Sequence, residues 1–204
     1  MAQVITPSYL NQFQVLRAQM NMPPSSMNMS SSSMNMSASI NYNSTKFVVY
    51  KNPNLGIQII HPISWKPIEN ITSGGHIVEF MPAVENEHQQ LMPFVTMSIE
   101  NISNKIADLN SLTNQNLQIA KGMPGFHMIN SSDIVLSGVP AHKIIYTFAS
   151  PVPMPSEFQS MNIWTIKDNT AYTISYSEAK SEYLKHLPAI EKMVRSFVIV
   201  NNSS

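Results

Sequence analysis

The sequence contains no cysteine, which excludes disulfide bonds, thiolate metal sites and a cysteine nucleophile. Charged residues are also scarce, at 12% of the chain, and 12 basic and 12 acidic side chains leave no net charge. A protein that follows a phosphate backbone needs a basic surface, so nucleic-acid binding is not expected. No run of about 18 apolar residues is present, so no segment is predicted to span a membrane.

What the sequence does contain is enough apolar material for one domain of ordinary size and a tail. Its 204 residues are 43% hydrophobic, which argues against disorder of the whole chain. Changes in composition predict three segments. Residues 1–45 hold a short helix and a flexible linker rich in Met, Ser and Asn, residues 46–200 form the domain, and residues 201–204 form a disordered tail.

The number of potential glycosylation sites favours an extracytoplasmic protein. The motif Asn-x-Ser/Thr occurs eight times, at Asn28, Asn35, Asn43, Asn70, Asn101, Asn130, Asn201 and Asn202. This exceeds what the abundance of these residues produces by chance and is typical of an exported surface. Residues 1–20 are too polar for a signal peptide, so we expect a secreted, mature form whose leader has been removed.

The first 43 residues predict a short helix followed by a linker. Thr6-Pro7 is typical of a helix start, and Pro23-Pro24 would end the helix after about residues 8–20. Apolar side chains recur at helical spacing between these limits, at Tyr9, Leu10, Phe13, Leu16 and Met20. Residues 21–43 are low-complexity linker without the charged flanks of a coiled coil.

Three Met-Asn-Met repeats, seven residues apart, suggest a metal site in this linker. The methionines are Met20, Met22, Met27, Met29, Met34 and Met36. Thioether sulfur is a soft ligand that selects Cu(I), and alternate residues of an extended chain present two sulfurs on one side. A flexible arm can bring several pairs onto one ion. The alternative is a spacer whose methionines bind no metal or pack loosely on a neighbouring surface.

Beyond residue 46, alternation of apolar and polar residues predicts strands and two helices. The predicted strands are 47–50, 56–61, 77–80, 94–100, 129–136, 142–148, 159–167 and 171–176, with a hairpin turn at Asp168-Asn169. One helix is predicted from Asp108 to Lys121, with Leu109, Leu112, Leu117 and Ile119 on its apolar side. A second helix is predicted over 181–197, with a stripe of Leu184, Leu187, Ile190, Val194 and Phe197 and a break at Pro188. This order predicts an α+β fold.

No constellation of residues points to catalysis. Ser137 precedes a glycine but lacks the flanking residues of a nucleophile elbow, and no glycine-rich loop suits a phosphate. Glu85, Glu87 and His88 share one polar segment and are a candidate site for a borderline or hard cation, although a solvated loop of this composition needs no metal. His61 and His142 are expected to be hydrogen-bonded structural residues, and Trp65 and Trp164 to be core residues.

The domain also resembles a known family. The segment Tyr50–Trp65 resembles the start of PsbP-like domains, with an aromatic strand, a glycine-led strand, and then Pro and Trp close together. The segment Leu136–Tyr146 and the hairpin that joins Trp164 to Ala171–Tyr176 are similar to later parts of the same domains. A final helix that ends Met193–Phe197 completes a match over about residues 46–200.

This resemblance implies an α-β-α sandwich around a central antiparallel sheet. The family includes photosynthetic extrinsic proteins, bacterial lipoproteins, a Ran-binding protein and exported domains, and this chain resembles an archaeal or bacterial exported branch. The resemblance implies no metal ligand in the domain. We therefore expect a non-enzymatic extracytoplasmic accessory module with a protein partner and a Cu(I)-binding arm. The alternative is a structural or protein-interaction domain at the cell surface, with the methionine-rich segment as a spacer.

Overall fold

The computed structural model describes residues 45–72, 75–83, 93–103, 106, 108–150 and 156–200. All of them belong to one compact unit, Tyr42–Ser204. The predicted boundary between a tail and a domain at residues 45 and 46 stays a prediction, because the tail lies outside the described ranges. No helix within those ranges is long and apolar enough to cross a membrane.

Ten strands and two α-helices make up the described part of the chain. In chain order they are β1 (Phe47–Asn52), β2 (Ile57–Pro62), β3 (Trp65–Thr72), β4 (Gly75–Pro82), β5 (Phe94–Asn101), α1 (Leu109–Lys121), β6 (His127–Leu136), β7 (Val139–Ser150), β8 (Ser156–Lys167), β9 (Thr170–Ala179), α2 (Tyr183–Ser196) and β10 (Val198–Ile199). Eight strands and both helices lie where the sequence pattern predicts them.

The strands form two antiparallel sheets. The large sheet has seven strands in the order β3-β4-β5-β9-β8-β7-β6, and the small sheet has three in the order β1-β2-β10. Strands of the large sheet that follow one another in the chain pair antiparallel, whereas β5 and β9 pair across a long insertion. This arrangement confirms the predicted α+β fold with a central antiparallel sheet.

The two faces of the large sheet carry different side chains. The core face carries Val78, Phe80, Val95, Met97, Ile163, Ile174 and Tyr176, all buried. They form one cluster with Ile190 and Met193 of α2 and with Ile57 and Ile59 of the small sheet. On the opposite face, the Trp164 indole Nε1 donates a hydrogen bond of 2.8 Å to Thr113 Oγ1 of α1. The helices therefore lie on opposite sides of the sheet, and both Trp65 and Trp164 are buried as predicted.

Two hairpins of the large sheet turn through residues with positive φ. Asp168 and Asn169, between β8 and β9, have φ values of 51° and 58°. Ser137 and Gly138, between β6 and β7, have φ values of 53° and 78°. Positive φ at both central residues is the type I′ geometry that matches the twist of antiparallel strands. The predicted turn at Asp168-Asn169 is confirmed.

Helix α1 begins as predicted but buries a different stripe. The Asp108 carboxylate accepts a hydrogen bond of 2.7 Å from the Ser111 backbone amide and caps the helix. The buried residues are Leu112, Asn116 and Ala120, whereas the predicted Leu109, Leu117 and Ile119 are only partly buried. The i, i+4, i+8 spacing of the buried residues places them on one line along the helix, which faces the sheet.

Helix α2 corrects two predictions. It runs without a break from Tyr183 to Ser196 although Pro188 lies inside it. Proline removes one backbone donor, but Ala189, Ile190 and Met193 are buried directly after it and hold the helix on the core face. Leu184, predicted to lie on the buried stripe, is 71% exposed.

The sequence pattern missed strands β3 and β10. Residues 66–71 of β3 are exposed on both faces, so no apolar alternation marks them. Pro67 also weakens a strand prediction, although proline is tolerated on an edge strand such as this one. Strand β10 has only two residues and exists because it pairs with β2.

Candidate functional site

Both predicted metal sites lie outside the described residues. This applies to Met20, Met22, Met27, Met29, Met34 and Met36, and equally to Glu85, Glu87 and His88. Both sites stay predictions. Within the described ranges, no group of three or more His, Asp and Glu side chains is placed to hold a metal ion.

The face of the large sheet toward α1 carries, beside apolar residues, a buried group of polar side chains that we call the polar face. It is defined by Thr96 on β5, Ser160 and Asn162 on β8, and Ser175 and Ser177 on β9, all buried. Register places Thr96 opposite Ser175, which lies opposite Asn162. Ser177 likewise lies opposite Ser160. Five neutral hydroxyl and amide groups thus lie side by side on three adjacent strands.

Some groups of the polar face are paired with one another. The hydroxyl groups of Ser160 and Ser177 form a hydrogen bond. The Asn162 amide Nδ2 donates a hydrogen bond of 3.0 Å to the Tyr146 hydroxyl oxygen. Burial raises the pKa of Tyr146 to about 12, so its hydroxyl stays neutral at physiological pH. The polar face therefore carries dipoles but no charge at these positions.

Two buried polar atoms on this side of the sheet have no hydrogen-bond partner. They are Thr96 Oγ1 on β5 and Asn116 Nδ2 on α1, in residues that are 3% and 7% exposed. A buried polar atom without a partner costs about 1–3 kcal/mol. Such groups in a native protein are commonly paired with an ordered water or a ligand. Two of the three such atoms in the described interior thus lie on this side of the sheet, and the third, Tyr183 Oη, lies against the core face.

The core face contains one buried carboxylate, and its partners make it structural. Glu178 on β9 is 2% exposed. Its Oε2 accepts a hydrogen bond of 2.5 Å from the Tyr176 hydroxyl, and His186 Nδ1 of α2 lies 2.8 Å from the carboxylate. A buried charge is stable only when paired and hydrogen-bonded. The Glu178–His186 pair fastens the first turns of α2 to the sheet.

A hydrogen-bonded cluster of Ser131, His142 and Asp133 lies at the opposite end of the large sheet from β3. His142 Nδ1 is 2.7 Å from Asp133 Oδ1, and His142 Nε2 is 2.9 Å from Ser131 Oγ. Asp133 lies directly opposite His142 in the register of β6 and β7. Sequence reasoning expected a hydrogen-bonded structural role for His142, and its hydrogen bonds are present, but sequence reasoning missed the two partners.

A signal for this cluster was present in the sequence. A two-residue turn at Ser137-Gly138 pairs Leu136 with Val139, and this register places Asp133 opposite His142. Ser131 then follows on the same face, because side chains two residues apart on a strand point the same way. Treating the turn as a register constraint would have predicted all three neighbours.

Strand β3 forms the other edge of the large sheet and exposes apolar side chains. Among the described strands it pairs only with β4. Ile68 and Ile71 are 41% and 82% exposed and point to opposite faces. The Glu69 carboxylate holds this strand to β1 by accepting a 2.6 Å hydrogen bond from the Tyr50 hydroxyl. Burial, together with Glu69, raises the pKa of Tyr50 to about 12. The Tyr50 hydroxyl therefore keeps its proton at physiological pH and continues to donate this hydrogen bond.

Comparison with solved structures identifies the fold of this chain, whereas comparison of sequences finds no relative. No protein-family model matches the chain, and a comparison with curated proteins finds no relative. Cyanobacterial PsbP from Synechocystis sp. PCC 6803 superposes with a TM-score of 0.57 at 14% identity, over 83% of this chain and 98% of that one. The Saccharomyces cerevisiae Ran-binding protein Mog1p superposes with a TM-score of 0.52 at 11% identity, over 78% of this chain and 98% of Mog1p.

A third similar structure is LpqN of Mycobacterium tuberculosis, a protein involved in cell envelope biogenesis. It superposes with a TM-score of 0.50 at 14% identity, over 79% of this chain and 95% of LpqN. At such low identity the likeness concerns the fold and not the residues of any site. The resemblance to the PsbP-like fold predicted from the sequence is confirmed.

Proposed function

We propose that this chain, which has the fold shared by PsbP and Mog1, is a non-enzymatic accessory module that binds a protein partner outside the cytoplasm. The observation that carries this proposal is the open edge of β3. Its outer side lacks a partner strand among those described, and Ile71 is 82% exposed on it. An isolated exposed leucine or isoleucine needs no explanation, but an apolar edge strand is a template for pairing.

The chemistry of β3 suits a partner that adds an extended segment to the sheet. The free backbone N–H and C=O groups of an edge strand supply the hydrogen bonds of strand addition. Side chains of the added strand would meet Ile71 on one face of the sheet and Ile68 on the other. Lys66 and Pro67 occupy the first half of the strand, where a charge and a proline discourage unspecific pairing, and Glu69 in the second half is engaged by Tyr50 of β1. We therefore place the contact on residues 68–71.

Position-dependent photo-crosslinking tests this contact. A benzoylphenylalanine at position 71 should give one crosslinked product of defined mass in the cells that make the protein. The same group at Val135, 70% exposed on the opposite edge strand β6, is the matched control and should not give that product. Ile68→Lys should reduce the product because it places a charge in the contact. Equal products from positions 71 and 135 would contradict the proposal.

The extracytoplasmic location rests on the excess of Asn-x-Ser/Thr motifs and is in keeping with the fold likeness to LpqN. Protease added to intact cells should degrade the chain while a cytoplasmic marker survives. Protection equal to that of the marker would show that the protein works inside the cell. The β3 contact would then have to be sought among cytoplasmic proteins.

A Cu(I)-binding arm is the second element of the proposal, supported by the three Met-Asn-Met repeats. Full-length protein should compete with a chromogenic Cu(I) chelator, and replacing Met27, Met29, Met34 and Met36 by leucine should abolish the competition. Leucine at Met123 and Met128 in the domain is the control. A parallel Zn(II) titration tests Glu85, Glu87 and His88 through their Gln substitutions. Unchanged competition after the four arm substitutions would leave the segment as a spacer.

A further inference from the structure

The three members of the Ser131 cluster are held in one line of hydrogen bonds by strand pairing. Asp133 and His142 face each other across β6 and β7, and Ser131 lies two residues before Asp133 on the same face. The two contacts of the imidazole measure 2.7 Å to Asp133 and 2.9 Å to Ser131. A nucleophile, a base within hydrogen-bond reach and a group that orients the base are together the signature of an activated hydroxyl.

The chemistry of the three side chains determines which atom donates and which accepts in each hydrogen bond. An ionised carboxylate can only accept, so the proton of a neutral His142 lies on Nδ1 and is donated to Asp133. The lone pair of Nε2 then faces Ser131 and accepts the proton of its hydroxyl group. Asp133 acts as a positioning residue, because it selects the tautomer in which His142 can take the serine proton.

Neighbouring residues hold the His142 ring in place, whereas the Ser131 hydroxyl is exposed to solvent. The side chain of His142 is 14% exposed, and its ring lies 5.4 Å from that of the buried Trp164. Trp164 is in turn held by its hydrogen bond to Thr113 of α1. Ser131, by contrast, is exposed on the edge strand. A reagent can therefore reach the serine while its base keeps a constant orientation.

We propose that Ser131 is an activated nucleophile that accepts an acyl group from an activated ester. Ser131 Oγ attacks the ester carbonyl carbon while its proton passes to His142 Nε2. The carbon–oxygen bond to the leaving group then breaks, and the leaving alkoxide or phenoxide takes the proton from Nε2. The products are the acyl-serine and the free alcohol or phenol. One acylation per chain requires no turnover, so the site is compatible with a non-enzymatic module and independent of the β3 contact.

The size of the effect is limited by the exposure of Asp133, which is 94%. Solvent weakens its attraction for a protonated imidazole, as for any exposed ion pair. A positioned general base accelerates proton transfer by about 10²–10⁴. We expect the lower end of that range, so Ser131 should acylate about 100-fold faster than an ordinary exposed serine.

Acetylation of the full-length protein by p-nitrophenyl acetate tests the proposal, with peptide mass spectrometry to locate the acetyl group. Wild type should gain one acetyl group on Ser131, and Ser131→Ala should lose it. Ser132→Ala is the matched control, since Ser132 is the neighbour on the opposite face, and it should react like wild type. Asp133→Asn should slow the reaction and Asp133→Glu should restore part of the rate, which a merely structural role would not produce.

The acetylation rate of Ser131 in His142→Gln is the decisive measurement, provided that circular dichroism shows this variant to be folded. Acetylation of Ser131 should fall about 100-fold in this variant. The proposal is overturned if Ser131 reacts equally fast in His142→Gln. It is also overturned if wild type is acetylated mainly elsewhere, a result that requires no variant to fold.

Discussion

The two faces of the large sheet are both buried, but only the one toward α1 combines apolar side chains, such as Ile144 and Trp164, with the row of neutral polar groups that forms the polar face. The core face packs Phe80, Ile174 and Tyr176 against α2 and the small sheet. The polar face presents Thr96, Asn162 and Ser175 to the side of the sheet that carries α1. The core face gains stability from apolar area removed from water, at about 25 cal/mol per Å². The polar face gains little in this way and must satisfy its hydrogen bonds instead.

The two sides of the sheet also differ in how fully their buried polar groups are paired. On the core face the buried Glu178 carboxylate has two partners within 2.8 Å, whereas the Tyr183 hydroxyl has none. On the other side Thr96 Oγ1 and Asn116 Nδ2 have none. Proteins keep unsatisfied buried groups at a cost, and such groups are often explained by a function or a bound water. Removing an unpaired hydroxyl such as that of Thr96 should therefore stabilise the protein, whereas removing a packed or paired side chain on either face should destabilise it.

The largest effect is expected from a cavity in the core face. Phe80→Ala removes a fully buried ring and should lower the free energy of unfolding by about 3–5 kcal/mol, measured by urea denaturation. The cause is lost apolar burial together with the void left behind. A loss below about 1 kcal/mol would show that this face is not the main source of stability.

Breaking the buried ion pair should have the next largest effect. His186→Leu leaves the Glu178 carboxylate buried beside Tyr176 alone and should cost about 3 kcal/mol by the same measurement. Lys185→Leu is the matched control one residue away, since its ion pair with Glu182 is exposed and contributes less than about 1 kcal/mol. Equal losses in the two variants would mean that the Glu178–His186 contact does not fasten α2.

Alkaline pH should weaken both faces through their tyrosines. Burial raises the pKa of Tyr146 beside the polar face and of Tyr183 against the core face to about 12 each. Because the unfolded pKa is about 10, the stabilisation is complete below pH 10 and is lost as the pH rises through 12. Ultraviolet titration should show these tyrosines ionising only as the chain unfolds. Ionisation near pH 10 with the fold intact would contradict their burial.

The smallest effect, and the one of opposite sign, is expected on the polar face. Thr96→Val removes an unpaired buried hydroxyl without changing the side-chain shape and should raise the free energy of unfolding by about 1 kcal/mol. Ser160→Ala is the control, because it leaves Ser177 without its partner and should destabilise by a similar amount. If Thr96→Val destabilises as much as Ser160→Ala, a water or ligand pairs with Thr96 in solution.

Much of the fold was predictable because its signals are local. Asp168-Asn169 tolerates the positive φ of a tight hairpin, and Asp108 caps α1 through its own side chain. Strand β3 was not predictable in this way, since Ile68 and Ile71 lack alternation and the strand is held by β4. The predicted break at Pro188 was wrong, because the tertiary packing of Ile190 and Met193 outweighs the local helix-breaking effect of proline.

The candidate sites also differ in whether local sequence or tertiary structure reveals them. The Met-Asn-Met repeats are visible in sequence because metal-ligand chemistry depends on residue type and short spacing, and they stay a prediction. The Ser131 cluster depends on register between two strands, so the position of His142 in the chain carried no hint of its partners without the turn at Ser137-Gly138.

By itself the sequence determined eight of the ten described strands, both helices, the turn at Asp168-Asn169 and the likeness to a PsbP-like domain, because these follow from periodicity, from backbone preferences of single residues and from short motifs. Only the tertiary structure decided what each face of the large sheet meets. Alternation along β5, β8 and β9 states that the two faces differ, but whether the polar one meets water or protein depends on elements distant in the chain. Burial of Thr96 and Ser175 is therefore a property of the assembled layers.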